Sequence, residues 1–206
     1  MYMKKIIILA ATMLLAGTAA FAQSAIGAGY FNSIDIVNKT SNSTNSYPLS
    51  GFYVGFGYTV PIASGINFTP GLYYGYAAKS NATDLIITTV IGKREDHFLN
   101  IPLSFSYGLD LTPDFRFFAY AGPSLSVGVV SKVTGTLGSN KSSYDRYQED
   151  SNLNRFDVMV GGGVGVEVMN TFRINVGYDF GMLNRYNNTN TAYRRNQLTA
   201  GVAFLF

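Results

Sequence analysis

The sequence of 206 residues contains no cysteine, no tryptophan and a single histidine, His97. The absence of cysteine excludes a disulfide scaffold, a thiolate zinc site and a cysteine nucleophile. Charged residues make up 13% of the chain, whereas an ordinary soluble domain has roughly 25%. The near balance of 15 basic and 12 acidic residues argues against a nucleic-acid-binding protein, which would carry a basic patch.

Long apolar runs are also absent beyond the N terminus: no stretch there reaches the roughly 18 apolar residues that a membrane-spanning helix needs. The N terminus itself has Lys4 and Lys5, then an apolar run over residues 6–16, then Ala20-Phe21-Ala22. This order is typical of a secretory signal peptide. We therefore predict a signal peptide over residues 1–22, cleaved after Ala22, and an exported domain over residues 23–206.

Glycine (22 residues) and aromatic residues (15 Phe and 15 Tyr) are abundant. Eight runs alternate between large apolar residues and small or polar ones with a period of two, which is the pattern of strands with two different faces. In one run, for example, Phe172, Ile174 and Val176 alternate with Arg173 and Asn175. The predicted strands are residues 26–36, 52–60, 66–76, 97–109, 115–129, 156–168, 172–182 and 193–206.

The connections between the predicted strands alternate in length. Three are short (61–65, 110–114 and 169–171), and four are long and polar (37–50, 79–96, 130–155 and 183–192). This alternation is typical of an up-and-down barrel with tight turns at one end and long loops at the other. The narrow lumen of an eight-stranded barrel accepts the small face of each strand but not eight rows of large side chains. The sequence therefore predicts an eight-stranded antiparallel up-and-down transmembrane β-barrel rather than a soluble barrel with an apolar interior.

Three prolines fall inside predicted strands: Pro70, Pro102 and Pro123. Proline cannot donate a ladder hydrogen bond, and a closed barrel has no edge strand on which to place it. We expect bulges or water-satisfied carbonyls at these positions.

Several short elements resemble a known family. In order, they are Phe68-Thr69-Pro70-Gly71-Leu72-Tyr73-Tyr74, Phe98-Leu99-Asn100-Ile101-Pro102-Leu103, Tyr120-Ala121-Gly122-Pro123-Ser124-Leu125, the glycine-rich segment 161–165, Tyr178 and the C-terminal aromatic Phe206. Together they resemble the outer-membrane β-barrel ("porin family") proteins of Bacteroidetes, which are similar in architecture to small barrels of the OmpX and OmpA type. The resemblance implies a bacterial outer-membrane location, a Phe206 that the barrel-assembly machinery recognises, and in-strand prolines as a family trait. It implies no reaction.

Charged residues on the inward-facing strand positions are the main candidate site. They are Arg116, Asp157, Glu167, Arg173, Asp179 and Arg195. Glu167 and Arg173 are expected to face each other across the turn 169–171, with Arg116 close by. Two interpretations remain open: an ion-pair plug that fills the lumen, or a selectivity or gating element in a small pore.

Two further regions are candidates for chemistry or recognition. His97, flanked by Glu95 and Asp96, is the only imidazole, but a catalytic site also needs a positioned nucleophile, and no spacing singles one out. The segment 139–150 is dense in charge and aromatic residues, which makes Tyr144, Arg146 and Tyr147 candidate contacts with a partner.

The function predicted from the sequence is that of a non-enzymatic outer-membrane barrel with a structural or surface-interaction role and a plugged lumen. The alternatives are a small-solute porin or channel and, less favoured, a lipid-modifying enzyme centred on His97. The expected partners are outer-membrane lipid, the barrel-assembly machinery and an extracellular ligand or cell surface, with no nucleic acid. No cofactor, metal ion or catalytic residue is predicted.

Overall fold

The structure, a computed structural model, describes residues 23–39, 44–84, 89–137, 140–149, 152–187 and 191–206. The predicted signal peptide over residues 1–22 lies outside the described residues. The described part contains β1 (Gln23–Lys39), β2 (Thr44–Ala63), β3 (Ile66–Asp84), β4 (Thr89–Thr112), β5 (Phe115–Leu137), β6 (Asn140–Asp145), α1 (Arg146–Glu149), β7 (Phe156–Val168), β8 (Phe172–Gly181) and β9 (Thr191–Leu205). Among the described residues, no helix has the length and apolar character to cross a membrane.

Eight of these strands form a closed antiparallel ring in the order β1-β2-β3-β4-β5-β7-β8-β9, and β9 pairs back with β1. The predicted eight-stranded antiparallel barrel is thus confirmed. Each predicted strand lies within an observed one to within a residue, and most observed strands are longer. The strand β6 is additional: it pairs with the end of β5, inside the segment that the sequence assigned to the connection 130–155.

The ring closes with a stagger of ten residues. Following the registers around the barrel leads from Ala25 back to β1 at Asp35, by way of Gly57, Gly71, Pro102, Ser124, Met159, Gly181 and Arg195. With about 3.3 Å per residue and about 4.8 Å between strands, this stagger tilts the strands by about 40° from the barrel axis. The tilt brings residues that are not ladder partners to the same height in the lumen.

The tight turns lie together at one end of the barrel, here termed the short-turn end; the opposite end is termed the long-loop end. The turns are residues 64–65, 113–114 and 169–171. Gly65 has a φ of 76°, and Met169 and Asn170 have φ values of 54° and 51°. Positive φ angles match the twist of a hairpin, and glycine and asparagine tolerate them more readily than other residues.

Large apolar side chains cover the outside of the barrel in a continuous zone, here termed the apolar belt. Its exposed members include Ile26, Phe52, Val54, Phe56, Phe105, Phe117, Val164, Ile174, Val176, Phe180, Leu198, Val202 and Phe204. A surface this apolar is favourable against hydrocarbon rather than water. Closure of the ring also pairs the strand edges, which a sheet in lipid requires.

The inward positions hold small, polar and a few aromatic side chains. Phe31, Leu49, Ala77 and Phe98 form a buried cluster toward the long-loop end of the lumen, and Tyr53 packs against it. The rings of Phe31 and Phe98 meet edge to face with 5.1 Å between their centroids. These two rings, here termed the aromatic layer, occupy the lumen at that height.

The three in-strand prolines do not shift the register, so the expectation of bulges at these positions is wrong. The β3–β4 ladder passes from the pair Pro70–Leu103 to the pair Tyr73–Asn100 without a shift. The β4–β5 ladder likewise passes from Pro102–Ser124 to Phe105–Ala121. The residues between these pairs are left out of the ladder because proline lacks the N–H donor. The register shifts that the structure does show lie elsewhere, at Pro61/Ala63, His97/Phe98 and Asp110/Thr112.

Candidate functional site

An ion-pair cluster of Arg116, Glu167 and Arg173, here termed the short-turn-end cluster, crosses the lumen near the tight turns. Arg173 donates from Nη2 and Nε to Oε1 of Glu167 over 2.6 and 2.9 Å. Nη1 of Arg116 lies 3.6 Å from Oε2 of Glu167, and its Nε lies 3.5 Å from the exposed Asp110. Because Arg173 also donates to Thr59 over 3.1 Å, the cluster links β2, β5, β7 and β8.

A second cluster, here termed the long-loop-end cluster, consists of Asp35, Arg94, Asp96 and Arg195. Arg195 donates to Oδ1 of Asp35 over 2.8 Å and to Oδ2 of Asp96 over 2.9 Å. Nη2 of Arg94 lies 2.8 Å from Asp35 and 2.6 Å from Asp96, and Tyr193 donates a further hydrogen bond to Asp35. Both carboxylates are thus held between two guanidinium groups, and both are almost completely buried.

Arg185 and Tyr147 cover the long-loop-end cluster. Nη2 of Arg185 donates to Oη of Tyr147 over 2.8 Å, and the guanidinium carbon of Arg155 lies 4.8 Å from the centroid of the same tyrosine ring. Arg185 also lies 3.9 Å from both Asp35 and Asp157. Tyr147 is therefore packed into the mouth of the barrel.

The six charged residues predicted for the lumen lie at different positions in the structure. Arg116, Glu167 and Arg173 lie together at the short-turn end, and Arg195 lies in the long-loop-end cluster. Asp157 lies beside Arg185 at the mouth, 3.9 Å away. Asp179 belongs to neither cluster and makes no ion pair with any residue that the structure describes.

Four further charged residues of the lumen were missed by the sequence analysis: Asp35, Arg94, Asp96 and Arg185. Asp35 carried a usable signal, because Phe31, Ser33 and Asp35 share one face of the first predicted strand. Arg94 and Asp96 were assigned to the connection 79–96, although β4 begins at Thr89. Arg185 follows the end of β8 in an irregular segment, where no periodicity indicates its direction.

A cavity of about 170 Å³ lies in the lumen between the two clusters. Its wall combines glycine with hydroxyl, amide and carboxylate side chains and, toward the short-turn end, Arg173; the polar members include Tyr53, Tyr73, Tyr120, Asn175, Asp179 and Gln197. Asn175 donates to Oη of Tyr120 over 3.3 Å. The cavity is large enough for several water molecules, and its polar wall offers them hydrogen-bond partners.

His97 lies in a polar cluster at the long-loop end of β4. Nδ1 of His97 is 2.5 Å from Oη of Tyr74, while Glu95 accepts one hydrogen bond from Tyr76 over 2.8 Å and pairs with Lys93 over 2.7 Å. Hydrogen bonds from Lys93 and Tyr76 lower the pKa of Glu95. The carboxylate of Glu95 therefore interacts with Lys93 and Tyr76 rather than orienting the imidazole of His97. Among the described residues, no group of three His, Asp or Glu side chains is arranged to hold a metal ion.

The three candidate contact residues of the segment 139–150 have different surroundings. Tyr144, on β6, is about half exposed. Arg146 opens the helix α1, with its guanidinium carbon 5.9 Å from the ring centroid of Tyr193. Since Tyr147 is packed into the barrel mouth, Tyr144 is the most accessible of the three.

A closed eight-stranded ring with an apolar belt and a charged, partly filled lumen defines an integral membrane β-barrel. A family model for the outer membrane protein beta-barrel domain matches residues 21–187, and the chain belongs to this family. Its location is therefore the bacterial outer membrane. No functionally curated protein matches the sequence at a significant level.

Solved structures of small outer-membrane barrels are similar to this chain. The attachment invasion locus protein Ail of Yersinia pestis is 12% identical, with 90% of this chain and 99% of that chain covered and a TM-score of 0.45. Neisserial surface protein A is 16% identical, with 88% and 99% covered and a TM-score of 0.45. OprG of Pseudomonas aeruginosa is 9% identical, with 90% and 96% covered and a TM-score of 0.44.

Proposed function

We propose that this protein is a non-enzymatic barrel with a plugged lumen, and that its long-loop end carries out its function by contacting an extracellular ligand or cell surface. The observation that supports this proposal is the continuation of paired strands beyond the apolar belt. Residues 79–84 of β3, 89–95 of β4, 131–137 of β5 and the whole of β6 form one four-stranded sheet, here termed the outer extension.

The outer extension presents a polar surface with one accessible aromatic residue. Lys132, Lys141 and Ser142 are exposed, and Tyr144 exposes about half of its surface. Tyrosine contributes a large contact area with few rotatable bonds and is enriched at binding hot spots. An ordered sheet held above the membrane is also a more rigid support for recognition than an unstructured loop.

Surface display provides the test of this recognition role. A non-adherent bacterial host would express the wild type, a variant lacking residues 139–150, and Tyr144→Ala, and attachment to cultured cells and immobilised matrix proteins would be counted. We expect the deletion to abolish attachment and Tyr144→Ala to reduce it several-fold. Lys141→Ala is the matched control, since it changes an exposed residue on the same strand without removing an aromatic anchor.

Heat-modifiable gel mobility of each variant would show that the barrel has folded in the membrane. Attachment that survives the deletion in a folded barrel would contradict the recognition role.

The channel alternative has one observation in its favour, the cavity of about 170 Å³ in the lumen. The cavity lies between the two ion-pair clusters, and the aromatic layer of Phe31 and Phe98 occupies the lumen toward the long-loop end. We therefore expect the purified wild type to form no large, stable channels in planar bilayers. Such channels in the wild type would favour the small-solute pore over the plug.

The enzyme alternative rests on His97. Tyr74 is the hydroxyl that contacts the imidazole, and Glu95 is hydrogen-bonded to other groups. We expect the lipid A profile of a His97→Ala strain to match that of the wild-type strain when both are compared by mass spectrometry. A changed profile would revive the enzyme hypothesis.

A further inference from the structure

Asp179 differs from the other charged residues of the lumen because it forms no ion pair with a described residue. At the short-turn end, Arg116 and Arg173 both pair with Glu167, and Arg116 also lies 3.5 Å from the exposed Asp110. At the long-loop end, the three guanidinium groups face three carboxylates: Arg94, Arg185 and Arg195 against Asp35, Asp96 and Asp157. Asp179 has no cationic partner among the described residues, and an unpaired charge is costly inside a narrow lumen.

Asp179 lies in a recess that its ladder partners create. On one side, Asp179 pairs with Gly161 of β7, and a Cβ placed on that glycine would lie 2.3 Å from Oδ1 of Asp179. The missing side chain therefore leaves room for the carboxylate. On the other side, Asp179 pairs with Gln197 of β9.

Gln197 provides an independent sign of a missing partner. It is 4% exposed, and its Oε1 accepts no hydrogen bond from the described residues. Both Gln197 and Asp179 line the cavity. Directly opposed residues of an antiparallel pair have Cβ atoms about 5 Å apart, so an unsatisfied amide oxygen and an unpaired carboxylate are neighbours on one cavity wall.

Neutral oxygens continue this wall. A Cβ placed on Gly177, two residues before Asp179, would lie 2.2 Å from Oη of Tyr120, so this hydroxyl is close to the same stretch of β8. Thr199, the ladder partner of Gly177, also lines the cavity. The site therefore presents oxygen ligands, one of them charged.

We propose that Asp179 and Gln197, with the neighbouring hydroxyl oxygens, bind a small monovalent cation such as Na⁺ in the lumen. Hard cations take carboxylate, amide and hydroxyl oxygens as ligands, and divalent sites generally use several carboxylates. A single carboxylate among neutral oxygens matches one positive charge. A bound cation would neutralise the unpaired carboxylate of Asp179 and satisfy Oε1 of Gln197.

Sodium-23 NMR relaxation of the refolded full-length mature barrel provides the test. The barrel is held in a zwitterionic detergent, which does not itself attract Na⁺, and NaCl is titrated against the bulkier N-methylglucamine chloride at constant ionic strength. We expect a saturable broadening of the sodium signal that added K⁺ relieves. Asp179→Asn keeps the shape of the side chain and should weaken this saturable binding by about tenfold or more, because the unpaired charge is removed.

Asp114→Asn is the matched control, because it removes the same charge from an exposed turn at the short-turn end and should leave the broadening unchanged. Gln197→Leu keeps the carboxylate but removes the unsatisfied oxygen, and it should weaken binding several-fold. This second variant also serves as the test if Asp179→Asn does not fold. No saturable component in the wild type, or equal broadening in Asp179→Asn and Asp114→Asn, would overturn the proposal and indicate that Asp179 holds a proton alone.

Discussion

Arg195 is the residue whose removal most directly tests the long-loop-end cluster. Arg195→Met keeps much of the length of the side chain but removes the hydrogen bonds to Asp35 and Asp96, at 2.8 and 2.9 Å. Removing one partner of a buried ion pair typically costs about 3–5 kcal/mol. Because Arg94 still contacts both carboxylates, at 2.8 and 2.6 Å, we expect the lower end of this range, about 3 kcal/mol.

The free energy of unfolding would be measured by urea titration in phospholipid vesicles. The fraction folded would be read from the mobility of unheated samples on gels, because the chain has no tryptophan whose fluorescence could report unfolding. Arg194→Met is the matched control: Arg194 is the adjacent residue of β9 and is exposed on the opposite face. Its loss should change stability by no more than about 0.5 kcal/mol.

A double variant separates the ion pair from simple loss of packing. Asp35→Asn combined with Arg195→Met removes both a carboxylate and its guanidinium partner, so the double variant should lose less stability than the two single variants together. We expect a coupling of about 1–2 kcal/mol. A loss below about 1 kcal/mol for Arg195→Met, or strictly additive effects in the double variant, would refute the view that buried ion pairs hold the lumen closed.

Three further perturbations test other features of the barrel by the same unfolding assay. Gly163→Ala should cost about 1–3 kcal/mol by overpacking, because the added Cβ would lie 2.1 Å from the carbonyl oxygen of Val176. Its control, Gly135→Ala, should be nearly neutral, because nothing lies within 4 Å of a Cβ placed there. Val202→Lys places a charge in the apolar belt, where the native side chain is 59% exposed, and should cost about 2–4 kcal/mol, while Leu111→Lys beside a tight turn should cost at most about 1 kcal/mol. Arg173→Met should destabilise less than Arg195→Met, because Glu167 keeps Arg116 at 3.6 Å and lies close to the open short-turn end; an equal or larger loss would contradict this ranking.

The alternation of side chains along each strand made most of the barrel predictable. Phe172, Ile174 and Val176 on one face and Arg173 on the other indicate a strand with a lipid side and a lumen side, and the structure exposes the first three residues on the barrel surface. The pairing of Glu167 with Arg173 also follows from local geometry, because both residues flank one tight turn. Such features depend only on neighbours along the chain or across a single hairpin.

The long-loop-end cluster depends on closure of the whole ring. Asp35 lies on β1 and Asp96 on β4, and these strands share no ladder. The two carboxylates reach the same guanidinium groups because the stagger of ten residues tilts every strand. The stagger accumulates over eight registers, and no local pattern in the sequence specifies it.

The sequence by itself therefore determined the class of fold, the number of strands in the ring and the face that each strand turns to lipid. The reason is that large apolar residues alternate with small or polar ones with a period of two in every run. The tertiary structure decided which lumen charges meet, that β6 extends the sheet beyond the closed ring, and that Asp179 is left beside the unsatisfied oxygen of Gln197. The physical reason is the range over which each feature is set. Alternation is a property of one strand, whereas the tilt and the lumen contacts arise only when eight strands close into a ring.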